Sequence, residues 1–211
     1  MVSQVNEAET RRESDIRKMV STRRYVMRNK RWEKNAVMDV RMTYQSGVGK
    51  SFEILAMEHA GGLQKRAFEK ILETEVEASK KSLEMEDSAI IAANYEFTPL
   101  GSETLNGHEC LVLELKPRRS SKYLLNGKAW IDLKEHAIVR VEGRTSHSVS
   151  FWIGKPYIAQ TFRKVNDVWV SASNRSVSDV KLLGRTELSV DFTDYQIVRG
   201  ASELAHTRRL D

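Results

Sequence analysis

Leu111, Leu113 and Leu115 alternate with Val112 and Glu114, a two-residue period that places three leucines on one face of a strand. Pro117 closes that strand because proline has no N–H to give a ladder. Asn126-Gly127 supplies a two-residue turn signal of the kind that tolerates positive φ. Ala129 to Leu133 and Ile138 to Val141 read as the next two strands, joined by the polar turn Lys134-Glu135-His136. The middle of the chain therefore predicts an antiparallel meander with one apolar face.

Upstream, Ala36, Met38, Val40, Met42 and Tyr44 alternate with Asp39, Arg41 and Thr43. Gly47 to Gly49 is a turn, and Phe52, Ile54 and Ala56 continue the pattern, so a hairpin is expected. Tyr25 to Trp32 is strand-like and strongly basic, which suits an edge where cations discourage pairing with other chains. Residues 1–22 read as a charged amino-terminal segment with a surface helix over Glu7 to Met19. Past Gly61-Gly62 the period changes. Phe68, Ile71, Leu72 and Val76 recur at helical spacing, predicting one long helix from about Gln64 to Glu86.

Downstream, Tyr95-Glu96-Phe97 and Pro99-Leu100-Gly101 precede the meander. Val149, Phe151 and Ile153 lead to a Gly154-Lys155-Pro156 turn. Ile158 to Val165, Val168 to Asn174, Val177 to Leu183 and Glu187 to Ile197 read as four strands, with turns at Asn166-Asp167 and Gly184. Residues 199–211 read as a frayed tail. No linker or repeat divides the chain, so a single α+β domain over 1–211 is expected, with about ten or eleven antiparallel strands and one long helix.

Composition sharpens this only modestly. Hydrophobic residues make up 40% and charged residues 30% of 211, a globular balance. No apolar run is long enough for a transmembrane helix. Met1-Val2-Ser3 fits either a cytosolic start or a mature domain whose export signal has been cut away. The net charge of +5 favours anionic partners weakly. Cys110, the only cysteine, allows no intrachain disulfide and reads as a packed strand residue.

Enzyme signatures are missing. No Gly-rich phosphate loop, His-Glu-x-x-His, Cys-x-x-Cys or Gly-x-Ser-x-Gly occurs. His59, His108, His136, His147 and His206 are scattered at turns or in the tail and read as surface residues. Asp132, at a strand end, is expected to bond turn amides. Trp32, Trp130, Trp152 and Trp169 follow no common spacing and read as packing residues, not as a platform for bases. No catalytic residue, metal site or cofactor is expected.

The sequence holds more apolar strand face than one helix covers. Strand alternation nominates Met38, Val40, Met42, Phe52, Ile54, Leu111, Leu113, Leu115, Val139, Val141, Phe162, Leu188, Val190 and Phe192 for an inward face. Phe68, Ile71, Leu72 and Val76 of the helix are expected to meet them. An open, curved sheet lined this way either fills with side chains or takes an apolar ligand. Burying a sixteen-carbon chain contributes about 12 kcal/mol gross at ~0.8 kcal/mol per CH₂, from which association costs are subtracted.

Tyr95-x-Phe97, Leu100-Gly101-x-Glu103-x-x-Asn106-Gly107 and the Leu-Val-Leu-Glu-Leu-Lys-Pro strand resemble the bacterial outer-membrane lipoprotein-sorting proteins, the LolA-like group. Lys128 to Asp132, Ile138 to Gly143, and the segment from Phe151 to Val177 strengthen the likeness. The resemblance implies an incomplete, half β-barrel wrapped around a helix, located in the periplasm after removal of an export signal. It implies a non-catalytic carrier whose concave side holds acyl chains of lipid or lipidated protein, served by membrane-bound donor and acceptor proteins. The same fold also serves envelope sensors that dock on a membrane-bound partner, the alternative expectation. Nucleic acid is not an expected partner. In the carrier reading the helix is a lid hinged at Gly61-Gly62.

Overall fold

The computed structural model describes residues 5, 7, 15–80, 88–151 and 153–200. Ten strands follow one another as β1 (Ile16–Asn29), β2 (Ala36–Gln45), β3 (Gly49–Glu58), β4 (Tyr95–Leu105), β5 (His108–Pro117), β6 (Leu125–Asp132), β7 (Ile138–Thr145), β8 (Tyr157–Val165), β9 (Val168–Val180) and β10 (Gly184–Arg199). Helix α1 (Gly62–Lys80) falls between β3 and β4. All ten strands form one sheet in the order β3-β2-β1-β10-β9-β8-β7-β6-β5-β4. Every pairing is antiparallel, and β3 and β4 are open edges. The architecture is an open antiparallel sheet with one described long helix, consistent with a half-barrel and not closed into a ring.

The edges are blunted in ways that follow from their residues. β4 carries Pro99, which cannot donate to an added strand, and its register slips between Pro99 and Gly101. β3 alternates Lys50, Glu53 and Glu58 among its apolar positions. At the turn joining β8 and β9, Asn166 and Asp167 have φ of 48° and 60°, the doubly left-handed geometry of a tight hairpin.

Several sequence expectations are corrected. β1 is not an edge strand, because it pairs with both β2 and β10. The amino-terminal helix does not extend to Met19: Val5, Glu7 and Asp15 are helical, Ile16 begins β1, and the stretch between Glu7 and Asp15 lies outside the described residues. Asn126-Gly127 is not a turn but lies inside β6, opposite Arg144 and Gly143. A Cβ on Gly127 would stand 1.9 Å from the Glu142 carbonyl oxygen, so glycine there permits a backbone approach, not a reversal. The two strands expected over 168–174 and 177–183 are one continuous β9. The helix begins at Gly62 and is described to Lys80, while 81–87 of the expected helix lie outside the described residues. β10 runs to Arg199, which pairs with Ile16, and 201–211 of the expected tail lie outside the described residues.

Candidate functional site: the helix-covered face of the sheet

One register row crosses eight strands and defines a single face of the sheet. Met38 opposes Tyr25, Tyr25 opposes Val190, and Val190 opposes Asn174. Asn174 opposes Gln160, Gln160 opposes Val141, Val141 opposes Ala129, and Ala129 opposes Leu113. Directly opposed residues project to the same side. The row therefore reads apolar, then polar at β9 and β8, then apolar again.

The first apolar half lies under α1. Tyr25, Met27, Met38, Val40 and Val190 are buried there with Phe68 and Leu72 of the helix. Phe52, Ile71, Leu188 and Phe192 pack against them, and the Phe68 ring meets Tyr25 edge-on at 6.4 Å. Met42 is fully buried and Val76 is half-buried. The sequence missed Tyr25 and Met27 because their flanking arginines pointed to an exposed edge.

The second apolar half lies over β4 to β8. Leu113, Leu115 and Val141 are buried with Tyr95, Leu124, Ala129, Ile131 and Ile138, while Leu111 and Phe162 pack against them. Val5, 1% exposed, is buried in this group and covers part of this half. Between the halves, Gln160 Nε2 donates to Ser171 Oγ at 3.1 Å, and Asn174 Nδ2 donates to Gln160 Oε1 at 3.4 Å. The eighteen expected lining residues are thus not one continuous surface.

Two of the eighteen are placed differently. Val139 belongs to the opposite face, packed with Cys110, Val112 and Trp130. The cause is a bulge: Trp130 opposes Arg140 and Ile131 opposes Ile138, so Val139 is the extra residue and the alternation restarts on the other side. Ile54 shares the face of Val40, which it opposes, but on the edge strand it is 46% exposed.

A polar cluster lies between α1 and the sheet. Arg23, 5% exposed on β1, places Nη1 2.7 Å from Glu75 Oε2 of the helix. Tyr25 Oη donates to Glu75 Oε1 at 3.2 Å, and Lys50 Nζ lies 3.5 Å from Glu75 Oε2. The guanidinium also faces the rings of Phe52 and Phe192 at 5.2 and 5.0 Å. Burial opposes the charge on both partners, but their mutual attraction outweighs it: the Arg23 pKa is raised and the Glu75 pKa is lowered. Burial, helped by Glu75, pushes the Tyr25 phenol up to about 12. Arg23 Nε and Ser21 Oγ are buried with no hydrogen-bond partner among the described residues.

The carboxyl end of the helix is tied down separately. Ser79 Oγ donates to the Val76 carbonyl and accepts the Lys50 amide, both at 2.8 Å. Gly49, at φ 99°, lets the helix approach, since a Cβ there would stand 2.8 Å from Ser79 Oγ.

Asp132 plays the turn role expected of it. Its Oδ1 accepts the Lys134 and Glu135 amides at 2.9 and 2.6 Å. Burial pushes its carboxyl up, but those amides and His108, whose Nδ1 lies 2.8 Å from Oδ2, bring it below the usual carboxylate range. Cys110 is buried and its thiol pKa is raised, chiefly by burial, as a packed cysteine's is. Among the described residues no group of acids, histidines or cysteine has the geometry of a metal site. No described helix is long and apolar enough to cross a membrane. Two surface hollows, of about 640 and 580 Å³, lie at opposite ends of the sheet, and none of the eighteen residues lines either.

This sheet, with its one described long helix between the third and fourth strands, matches solved structures over nearly its whole length. A domain assigned to outer membrane lipoprotein sorting, from Vibrio parahaemolyticus, superposes with a TM-score of 0.50 at 14% identity, covering 96% of this chain and 94% of its own. A LolA superfamily protein from Nitrosomonas europaea does so with a TM-score of 0.50 at 10% identity, covering 93% of each chain. The chain has the LolA-like fold. No family model matches it, and no curated protein matches it by sequence. At these identities the LolA-like likeness is one of architecture, and the side chains of the face must carry any argument about cargo.

Proposed function

We propose that this protein is a non-catalytic periplasmic carrier that holds acyl chains, of lipid or of lipidated protein, against the helix-covered face of its sheet. The register row carries the reading: two apolar halves, one under α1 and the other packed with Val5, separated by the Gln160–Asn174 polar stripe. Acyl chains suit the apolar halves, where burial of each CH₂ contributes ~0.8 kcal/mol. Gln160 and Asn174 both donate and accept, so they suit the ester or amide at the head of such a chain. The likeness to lipoprotein-sorting domains supports the same choice.

In this reading α1 is the displaceable cover. Only Phe68 and Leu72 of its 19 residues are buried, which makes a thin apolar contact. Gly61-Gly62 stands at its start as the hinge. Cargo and helix compete for the surface around Met38, Val40 and Val190, and the difference in their affinities sets the loaded fraction.

The test is binding of a fluorescent fatty-acyl probe to the wild type and to Leu72→Glu. The expected result is saturable binding by the wild type and a marked change in the variant, because a carboxylate set into that contact disfavours the closed helix and the lined surface alike. No binding by either protein, or equal binding by both, removes the carrier reading and leaves α1 as plain core. Mass spectrometry of organic extracts from the purified protein then identifies the chains held.

A further inference from the structure

The antiparallel registers bring four loops to one end of the sheet. These are residues 30–35 between β1 and β2, 118–124 between β5 and β6, 146–156 between β7 and β8, and 181–183 between β9 and β10. The β1–β2 loop carries Lys30, Arg31 and Lys34, and the β5–β6 loop carries Arg118, Arg119 and Lys122. Lys155 and Lys181 bring the total to eight cations against a single acid, Glu33. At the other end, the loops 46–48, 106–107, 133–137 and 166–167 hold one cation, Lys134, and two acids, Glu135 and Asp167. Among these eight interstrand loops, positive charge is therefore concentrated at one pole.

The same pole carries the most exposed large apolar side chains among the described residues: Leu182 at 81% and Phe151 at 74%. Leu182 sits at φ 70°, a left-handed conformation that leucine adopts at a cost and that asparagine or glycine would take readily. The turn is pinned in place: the Arg31 guanidinium donates to the Leu182 carbonyl, and Asn29 Nδ2 donates to the Leu183 carbonyl at 3.1 Å. Phe151 is held beside it, because Ile153 bridges to Val180 and Lys181 Nζ lies over the Phe151 ring. Beside Phe151 lies the 640 Å³ hollow, whose charged and titratable lining is Lys122, His147, Lys181 and one acid, Asp179.

We infer that this pole is a docking surface for an anionic phospholipid bilayer, with Leu182 and Phe151 entering the headgroup–acyl boundary and the surrounding cations resting on the headgroups. Charge complementarity selects the occupant: each cation near an anionic leaflet contributes favourably, and the contributions add across the pole. The apolar tips select lipid over other polyanions, because an exposed leucine gains from hydrocarbon and gains nothing from a phosphate backbone. The inference stands apart from the cargo reading, since it concerns the outer loops and an empty protein suffices to test it.

The test is co-sedimentation of the full chain with vesicles of phosphatidylcholine alone, or of equimolar phosphatidylcholine and phosphatidylglycerol, at physiological ionic strength. The wild type is expected to sediment with the anionic vesicles and not with the neutral ones. Lys122→Glu with Lys181→Glu is expected to weaken binding at least about tenfold, because each reversal both removes an attraction and adds a repulsion. Phe151→Ser with Leu182→Asn is expected to weaken it with the charge intact. Asparagine tolerates the left-handed turn better than leucine, so that variant keeps the wild-type circular dichroism spectrum. Equal sedimentation with both vesicle types, or with neither, overturns the inference. So does loss in the charge variant with none in the apolar variant, the result expected of a surface for acidic protein or nucleic acid.

Discussion

Arg23 on β1 and Glu75 on α1 are 52 positions apart, yet they meet at 2.7 Å across the interface between helix and sheet. Tyr25 and Lys50 complete the cluster around the same carboxylate. A pair of this kind, with the arginine buried and the glutamate partly so, is costly to break from one side, because the remaining charge loses its partner. Arg23→Met is expected to destabilise the fold by about 2–3 kcal/mol, less than the upper range for buried pairs because Lys50 still faces Glu75. Urea denaturation checks this. The double variant Arg23→Met/Glu75→Leu is expected to be less destabilised than the sum of the single variants, since the two residues act as one unit.

Glu75 also sets a direction for acid sensitivity. Its pKa is lowered in the folded protein, so the unfolded chain binds its proton more readily. The stability it contributes is present above the ordinary glutamate range and is lost as pH falls through and below it. Melting temperature measured from neutral pH downward is expected to fall less steeply in Glu75→Gln than in the wild type. Parallel curves for the two proteins contradict this assignment.

Gly127 and Gly143 face each other on β6 and β7 so closely that a side chain fits on neither: Cβ atoms would stand 1.9 Å from the Glu142 carbonyl oxygen and 2.4 Å from the Asn126 carbonyl oxygen, respectively. Both clashes are with backbone, which cannot swing aside. Gly127→Ala is expected to cost more than about 4 kcal/mol, the range reserved for severe packing conflict. Gly107→Ala, with open space around its Cβ but φ of 83°, pays only the conformational term and is expected to cost about 1 kcal/mol. Thermal unfolding of both variants ranks them.

The bulge at Val139 predicts a separation between stability and cargo. Val139→Ala removes packing against Cys110 and Trp130 on the far face and is expected to cost about 1–2 kcal/mol while leaving acyl-probe affinity unchanged. Leu113→Ala, on the covered face, is expected to cost about 2–5 kcal/mol and to alter probe binding as well. Equal effects of the two on probe affinity contradict the assignment of faces.

Much of the sheet was legible because period-2 alternation survives wherever one face is buried, as in β2, β5 and β10. It failed where a local signal had a distant cause. The cations of β1 suggested an edge, yet Arg24 is paired to Asp39 at 2.9 Å on the neighbouring strand and Arg23 to a helix residue far along the chain. Asn126-Gly127 has the composition of a turn, but the approach of β7, invisible locally, is what requires glycine there. β9 was cut in two because Asn174 and Ser176 are polar on the inward side, the same property that makes the stripe between the apolar halves. The face at Val139 was lost to a single inserted residue, which no pattern of hydrophobicity reveals.

In a closed barrel, strand number and stagger together fix the diameter. Here, among the described residues, no ladder joins β3 to β4, so backbone pairing does not close the sheet at a fixed girth. A change in the separation of the two edges could be spread as curvature over nine strand pairs. If the face carries acyl chains as proposed, an open sheet of this kind suits contents of different bulk, with the grip decided by the side chains at its centre and the helix laid over them.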